Sequence, residues 1–291
     1  MGSYSMSQVA TLTGINAHTL RKWESRYSFI EPERTDTNIR FYTDELLRKL
    51  LNVSILQRNG FKISKIDKMS NEELHTNVTE VLLKPIEGDE LTALMLGLLE
   101  MNEREFIKII DAHIASKGLL NAVTDLIYPF LNQIGVLWGI DKVMPAQEHF
   151  ISNLIRQKVI AAINALPLPE TNAPRIILFL PENEHHEIGL LLAQYIAKDL
   201  GWNVFYLGQH VPISNIESVQ SIVKPNLLLT MFVTTVPDRI KEKIEAVLSQ
   251  TTADLLVSGN PVNLETKYFE DRTIYVSNPG ELISILRDRI S

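Results

Sequence analysis

Apolar residues recur at helical spacing through the first half of this chain and then gather into short continuous runs; the change marks a change of architecture. Val9, Leu12 and Ile15 share one helical face before a turn at Gly14. Asn16 reads as the N-cap of a second helix over 17–27, with Leu20 and Trp23 inward. Two short extended pieces follow, over 29–35 and 39–42, around a turn at Asp36 to Asn38. Leu, Ile and Ala at 3–4 spacing then predict five helices, over 71–84, 89–101, 103–116, 119–138 and 146–166, with a kink at Pro129 and short loops that suit an antiparallel bundle. A Pro-rich stretch, 166–174, reads as a linker. Beyond it, apolar runs at 175–180, 202–207, 226–232, 254–258 and 273–276 alternate with amphipathic helices, the pattern of a doubly wound parallel sheet.

The expected fold is therefore multidomain, α followed by α/β: a winged helix-turn-helix over 1–70, a helical-bundle cap over 71–166, and a flavodoxin-like, Rossmann-type sheet over 174–291. Composition changes this picture in three places. The chain has no cysteine, which excludes disulfides and thiolate metal sites. No apolar run is long enough to span a membrane and the first residues do not resemble a secretion signal, so the expected address is the cytoplasm and no membrane partner is expected. The net charge of −7 is uneven: residues 1–68 carry 11 Lys and Arg against 7 Asp and Glu. A basic module on an acidic body points to a polyanion partner for that module.

Two helices about a glycine turn form a helix-turn-helix, whose second helix fits the major groove of double-stranded DNA. On it His18, Thr19, Arg21, Lys22 and Arg26 are left to face outward. The run Tyr4-Ser…Leu12-Thr-Gly…His18-Thr-Leu-Arg-x-Trp-Glu-x-Arg-Tyr27…Pro32-x-Arg-Thr35…Arg40-x-Tyr42…Asp44-x-x-Leu47 resembles the winged-helix DNA-binding domain of the MerR family, with Asn38 where the wing usually turns on glycine. The resemblance implies that the second helix reads the groove, that Arg34, Arg40 and Tyr42 hold phosphates, and that a dimer binds a palindromic operator.

The loop after the first strand of the sheet reads Glu184-x-His186-x-x-Gly189. An imidazole leaving the carboxyl end of a strand can reach a metal, with the acid fixing its tautomer; a solvated His185-His186 pair is the other reading. Upstream, Trp138 is followed after nine residues by Glu148-His149, just past Pro145, where a core tryptophan and a helix-start charge are the plain reading. Together these stretches resemble light-sensing, adenosylcobalamin-dependent repressors of the CarH and LitR type. Glu184-x-His186-x-x-Gly189, Thr230-x-Phe232 and Ser258-Gly259-Asn260 stand where cobalamin-binding folds have Asp-x-His-x-x-Gly, Ser-x-Leu and Gly-Gly.

The resemblance implies His186 as the lower cobalt ligand and Glu184 as its partner. Thr230 and Gly259 would line the slot for the nucleotide tail, narrowed by Phe232 and Asn260, and Trp138, Glu148 and His149 would meet the adenosyl side. It further implies a regulator, a repressor assembled as a homo-oligomer, dimer or tetramer, that is not an enzyme. Gly139 stands where the light sensors carry a ligating histidine. The alternative is a cobalamin-independent MerR-type regulator whose α/β domain serves oligomerisation or antagonist binding.

Overall fold

The structure, a computed structural model, describes residues 3–35, 38–81, 89–138, 144–233, 237–259 and 272–290. The chain divides into two compact units, Met1–Leu154 and Ile155–Ser291.

The first unit opens with a two-residue strand, β1 (Ser3–Tyr4), that the apolar pattern did not show. Helix α1 (Met6–Thr13) begins in a capping box between Ser5 and Gln8 and ends at Gly14, left-handed with φ 71°. Asn16 caps α2 (Ala17–Glu24) through Thr19 N–H at 2.8 Å, as expected. That helix stops three residues short of the expected Tyr27: the Ser25 hydroxyl donates to the Lys22 carbonyl, an alternative to helix continuation, so Arg26 lies in a turn. Strands β2 (Glu33–Arg34) and β3 (Arg40–Thr43) form the wing, with β1 on the other side of β3.

Helices α3 (Asp44–Arg58) and α4 (Ile63–Ile66) complete the module, and α5 (Asn71–Val81), α6 (Asp89–Leu99) and α7 (Glu103–Lys117) follow. The expected single helix over 119–138 is three pieces: α8 (Leu119–Ala122), a π turn (Val123–Ile127) and α9 (Tyr128–Trp138). Pro129 has no N–H to give. The wider turn, with Tyr128 N–H on the Val123 carbonyl, precedes it in place of a sharp kink. Helix α10 (Pro145–Ala165) starts at the proline, where its missing N–H costs nothing.

The second unit holds a five-stranded parallel sheet: β4 (Arg175–Pro181), β5 (Asn203–Val211), β6 (Leu227–Phe232), β7 (Asp254–Gly259) and β8 (Thr273–Tyr275). Between them run α11 (Ile188–Asp199), α12 (Ile216–Val223) and α13 (Pro237–Leu248), and α14 (Pro279–Asp288) closes the chain. Every residue of β4 after Arg175 is buried, which is why the strand reads as an unbroken apolar run: helices cover both faces. The spatial order is β5-β4-β6-β7-β8. The direction of winding reverses between β4 and β6, so the connections leaving their carboxyl ends diverge to opposite faces of the sheet, the crevice position at which such sheets bind ligands.

Phe232 packs among Ile177, Phe179, Ile240, Ile244 and Val257 in the core. The expectation that it narrows a ligand slot therefore gives way to a core role. Asn260, the residue after Gly259, lies outside the described residues.

Candidate cofactor and DNA-reading sites

The loop from Glu182 to Glu187 sits at that divergence, joining β4 to α11. Glu184 is fully buried. Its Oε2 accepts the Val233 N–H at 2.8 Å, and its Oε1 takes the His186 ring nitrogen Nδ1 at 2.8 Å and the His185 N–H at 3.2 Å. A buried carboxylate with two backbone donors is an acceptor, so Nδ1 carries the proton and the lone pair of the imidazole lies on Nε2. That is the arrangement of a metal-ligating histidine whose tautomer is fixed from behind. The His186 side chain is 48% exposed, so it stands on the surface of the crevice and not in the core.

The rest of the loop is tied down residue by residue. Lys243 of α13 donates to the Glu182 carbonyl at 2.6 Å, and burial pulls the lysine's pKa down from its ordinary value. Asn183, left-handed with φ 66°, donates its N–H to His210 Nδ1 at 3.1 Å. The His210 ring stacks on that of His185, with centroids 5.5 Å apart and planes 7° from parallel. Glu187, beside His186, accepts the Tyr206 hydroxyl at 2.8 Å and pairs with Arg156. Burial raises the Tyr206 phenol well above its usual range, so it remains a donor. None of these supports was legible in the sequence, because each partner is at least 19 residues away.

Around the crevice, Thr230 of β6 is fully buried and its hydroxyl has no hydrogen-bond partner among the described residues. Such an orphan is costly unless a ligand atom meets it. Gly189 lies in the first turn of α11, and a Cβ there would stand 2.8 Å from Met231 Sδ, so any larger residue would have to displace that methionine side chain. Gly259 ends β7 opposite Phe232. These features fit a flat ligand with a metal on one side of the loop and a polar tail that enters beside β6.

In the helical domain, Glu148 and His149 lie in the first turn of α10, as expected. Glu148 accepts the Ser152 hydroxyl and pairs with His149 Nδ1 at 2.9 Å; the His149 side chain is 74% exposed. Gln147, which sequence reading passed over, is buried, and its amide donates to the Leu99 carbonyl at 3.2 Å, docking the start of α10 on the end of α6. Trp138 ends α9, its side chain outside what is described; Gly139 lies outside the described residues.

On the helix-turn-helix, His18, Arg21, Lys22 and Arg26 are exposed and Thr19 half-buried, while Leu20 and Trp23 are buried as expected. Arg34 and Arg40 of the wing both bind Glu24 at the end of α2, at 3.0 and 2.7 Å. One carboxylate thus fixes the wing against the reading helix. Tyr42 corrects the expectation that it holds a phosphate: it is 0% exposed, paired in register with Tyr4 of β1, and its hydroxyl is enclosed.

Comparison with known proteins finds a likeness for two stretches of the chain. Residues 4–73 match the family described as MerR HTH family regulatory protein, and residues 91–162 match the B12 binding domain. Residues 4–73 thus carry a MerR-type helix-turn-helix module and residues 91–162 a segment of the B12-binding kind. The chain is similar to the HTH-type transcriptional repressor CarH of Myxococcus xanthus, at 26% identity over 89% of this chain and 87% of that one. The repressor CarA of the same organism is 29% identical over 77% of this chain and 75% of its own. In fold, the chain resembles the monomethylamine corrinoid protein of Methanosarcina barkeri, with a TM-score of 0.55 and 16% identity over 66% of this chain and 94% of that one. The B12-binding match covers α6 to α10, the helices that carry Trp138, Glu148 and His149, and the MerR match covers the wing that Glu24 holds. Among the described residues no helix is long and apolar enough to cross a membrane.

Proposed function

We propose that this chain is a cytoplasmic transcriptional regulator, a repressor, whose grip on double-stranded DNA is set by adenosylcobalamin. One observation carries the reading. The buried Glu184 fixes the His186 tautomer with the lone pair on Nε2, at the point where the strand order reverses, on a chain that also carries a MerR module.

In this reading His186 is the cobalt ligand, Glu184 orients it, Gly189 leaves room for the ring, and Thr230 and Gly259 receive the nucleotide tail. Trp138, Glu148 and His149 are the helical domain's contribution to the same cofactor. When bound, the corrinoid would be held through His186 Nε2 and would supply the cobalt–carbon chemistry of adenosylcobalamin. His18, Thr19, Arg21, Lys22 and Arg26 meet the major groove, and Arg34 and Arg40 meet phosphates with the donors that Glu24 leaves outward. A homo-oligomer presents two such modules to a palindromic operator. The cofactor shifts the population toward the assembly that binds it better, by no more than its differential affinity.

The test is absorbance titration of the purified chain with adenosylcobalamin, followed by DNA binding at fixed salt, in darkness and after illumination. A spectrum identical to the free cofactor, with DNA affinity indifferent to it, would overturn the reading and favour an α/β domain that serves oligomerisation or antagonist docking.

A further inference from the structure

Asp89, the first residue of α6, is a fully buried carboxylate. Its Oδ1 accepts Arg58 Nε at 2.8 Å and its Oδ2 accepts Asn59 Nδ2 at 2.7 Å, both from the end of α3. The other two guanidinium nitrogens of Arg58 reach different elements: NH2 donates to the Thr92 hydroxyl at 3.0 Å, one turn along α6, and NH1 points to the Thr13 carbonyl at 3.4 Å. Thr13 is the last residue of α1. Its side chain accepts the Ile15 N–H at 3.2 Å across the turn that leads into α2. A planar, forked cation is suited to hold three elements at once.

The charges also sit where the helices want them, a cation at the end of α3 and an anion at the start of α6. Asp89 stands two residues before the B12-binding match begins. A displacement of the start of α6 must therefore either carry the helix-turn-helix turn with it or pull a buried carboxylate from its cation. The second outcome is strongly disfavoured, because it leaves a buried charge without its partner, so the turn is expected to follow α6.

We infer that the Arg58–Asp89 joint positions the DNA-reading helix and passes the state of the B12-binding domain to it. This rests on the function proposed above. Arg58 and Asp89 are positioning residues: they act on DNA through the Thr13 carbonyl and the turn behind it.

The experiment uses the full chain, adenosylcobalamin, and a DNA duplex selected from a random library by the wild type. DNA affinity is measured at one salt concentration with and without cofactor, for wild type, Asp89→Asn and Arg58→Lys. Cofactor affinity by absorbance and unfolding by urea are measured alongside. In the wild type the ratio of the two DNA affinities reports the coupling, on the order of tenfold or more. The variants are expected to bring that ratio close to one while cofactor affinity stays within about twofold of wild type. A purely structural role would lower the unfolding midpoint and leave the ratio as it was, and that result overturns the inference alone. A wild-type ratio of one overturns the proposed regulation and the inference with it. Should both variants fail to fold, hydrogen exchange on the wild type decides: cofactor must change protection of the amides from Gly14 to Thr19, and unchanged protection there overturns the inference.

Discussion

Glutamine in place of Glu184 is the sharpest perturbation of the cofactor loop, because it keeps shape and removes one acceptor. The carboxylate serves Val233 N–H and His186 Nδ1–H at 2.8 Å each, from opposite oxygens. A glutamine has one acceptor oxygen and cannot serve both. If its oxygen keeps Val233, its NH2 donates to Nδ1, the imidazole proton moves to Nε2, and the lone pair that would meet cobalt is gone. Loss of such an orienting partner typically costs about 10–100-fold in metal affinity. If its oxygen keeps His186, the Val233 N–H loses its acceptor, at about 1–3 kcal/mol for a buried group. Val233 is 37% exposed, so water offsets part of that and about 1 kcal/mol is expected. Glu184→Gln should therefore lose either cobalamin affinity or stability. Absorbance titration, read as the histidine-ligated fraction, and urea unfolding measure the two. A variant that matches wild type in both would refute the reasoning, since no amide can satisfy two donors from opposite sides with one oxygen.

Two other outcomes follow from buried groups. Thr230→Val replaces a buried hydroxyl that has no partner among the described residues with a methyl of nearly the same size, so the protein without cofactor should gain about 1 kcal/mol in urea unfolding while cobalamin binding weakens. A loss of stability would mean the hydroxyl is satisfied after all. Burial pushes the Tyr195 phenol from its ordinary 10 up to about 12 and raises Tyr206 as well. The fold favours the neutral phenol, so this contribution is complete below pH 10 and is lost as pH climbs from 10 towards 12. The urea midpoint should fall across that window, and Tyr206→Phe should flatten the fall; a midpoint constant from pH 9 to 12 would contradict the burial argument.

Local chemistry was legible where neighbours in sequence are neighbours in space. Asn16 capping Thr19, the proline start of α10, the buried runs of β4 and β6, and the Glu184–His186 pair two residues apart all follow from short-range patterning. What sequence reading missed is long-range. The two-residue strand β1 is too short for any period, yet its Tyr4 pairs with Tyr42, a buried residue where a phosphate contact was expected. Glu24 reads as one more charge on a solvated helix until Arg34 and Arg40 fold back onto it, 10 and 16 residues on. Asp89 reads as a routine acid at a helix start; its burial depends on Arg58, thirty-one residues earlier. The π turn before Pro129 could be expected only as a disturbance, because the missing N–H does not say which way the helix will accommodate it.

The strand at Ser3–Tyr4 has a practical consequence for anyone handling the protein. Tyr4 is enclosed and its hydroxyl donates to Asp44, so Ser3 and Tyr4 form the edge of the wing's sheet. Removing or replacing Ser3 and Tyr4 would strip a strand from that sheet and leave the Asp44 carboxylate without the tyrosine hydroxyl. Any alteration of the protein near Tyr4 therefore has to keep this strand paired with β3.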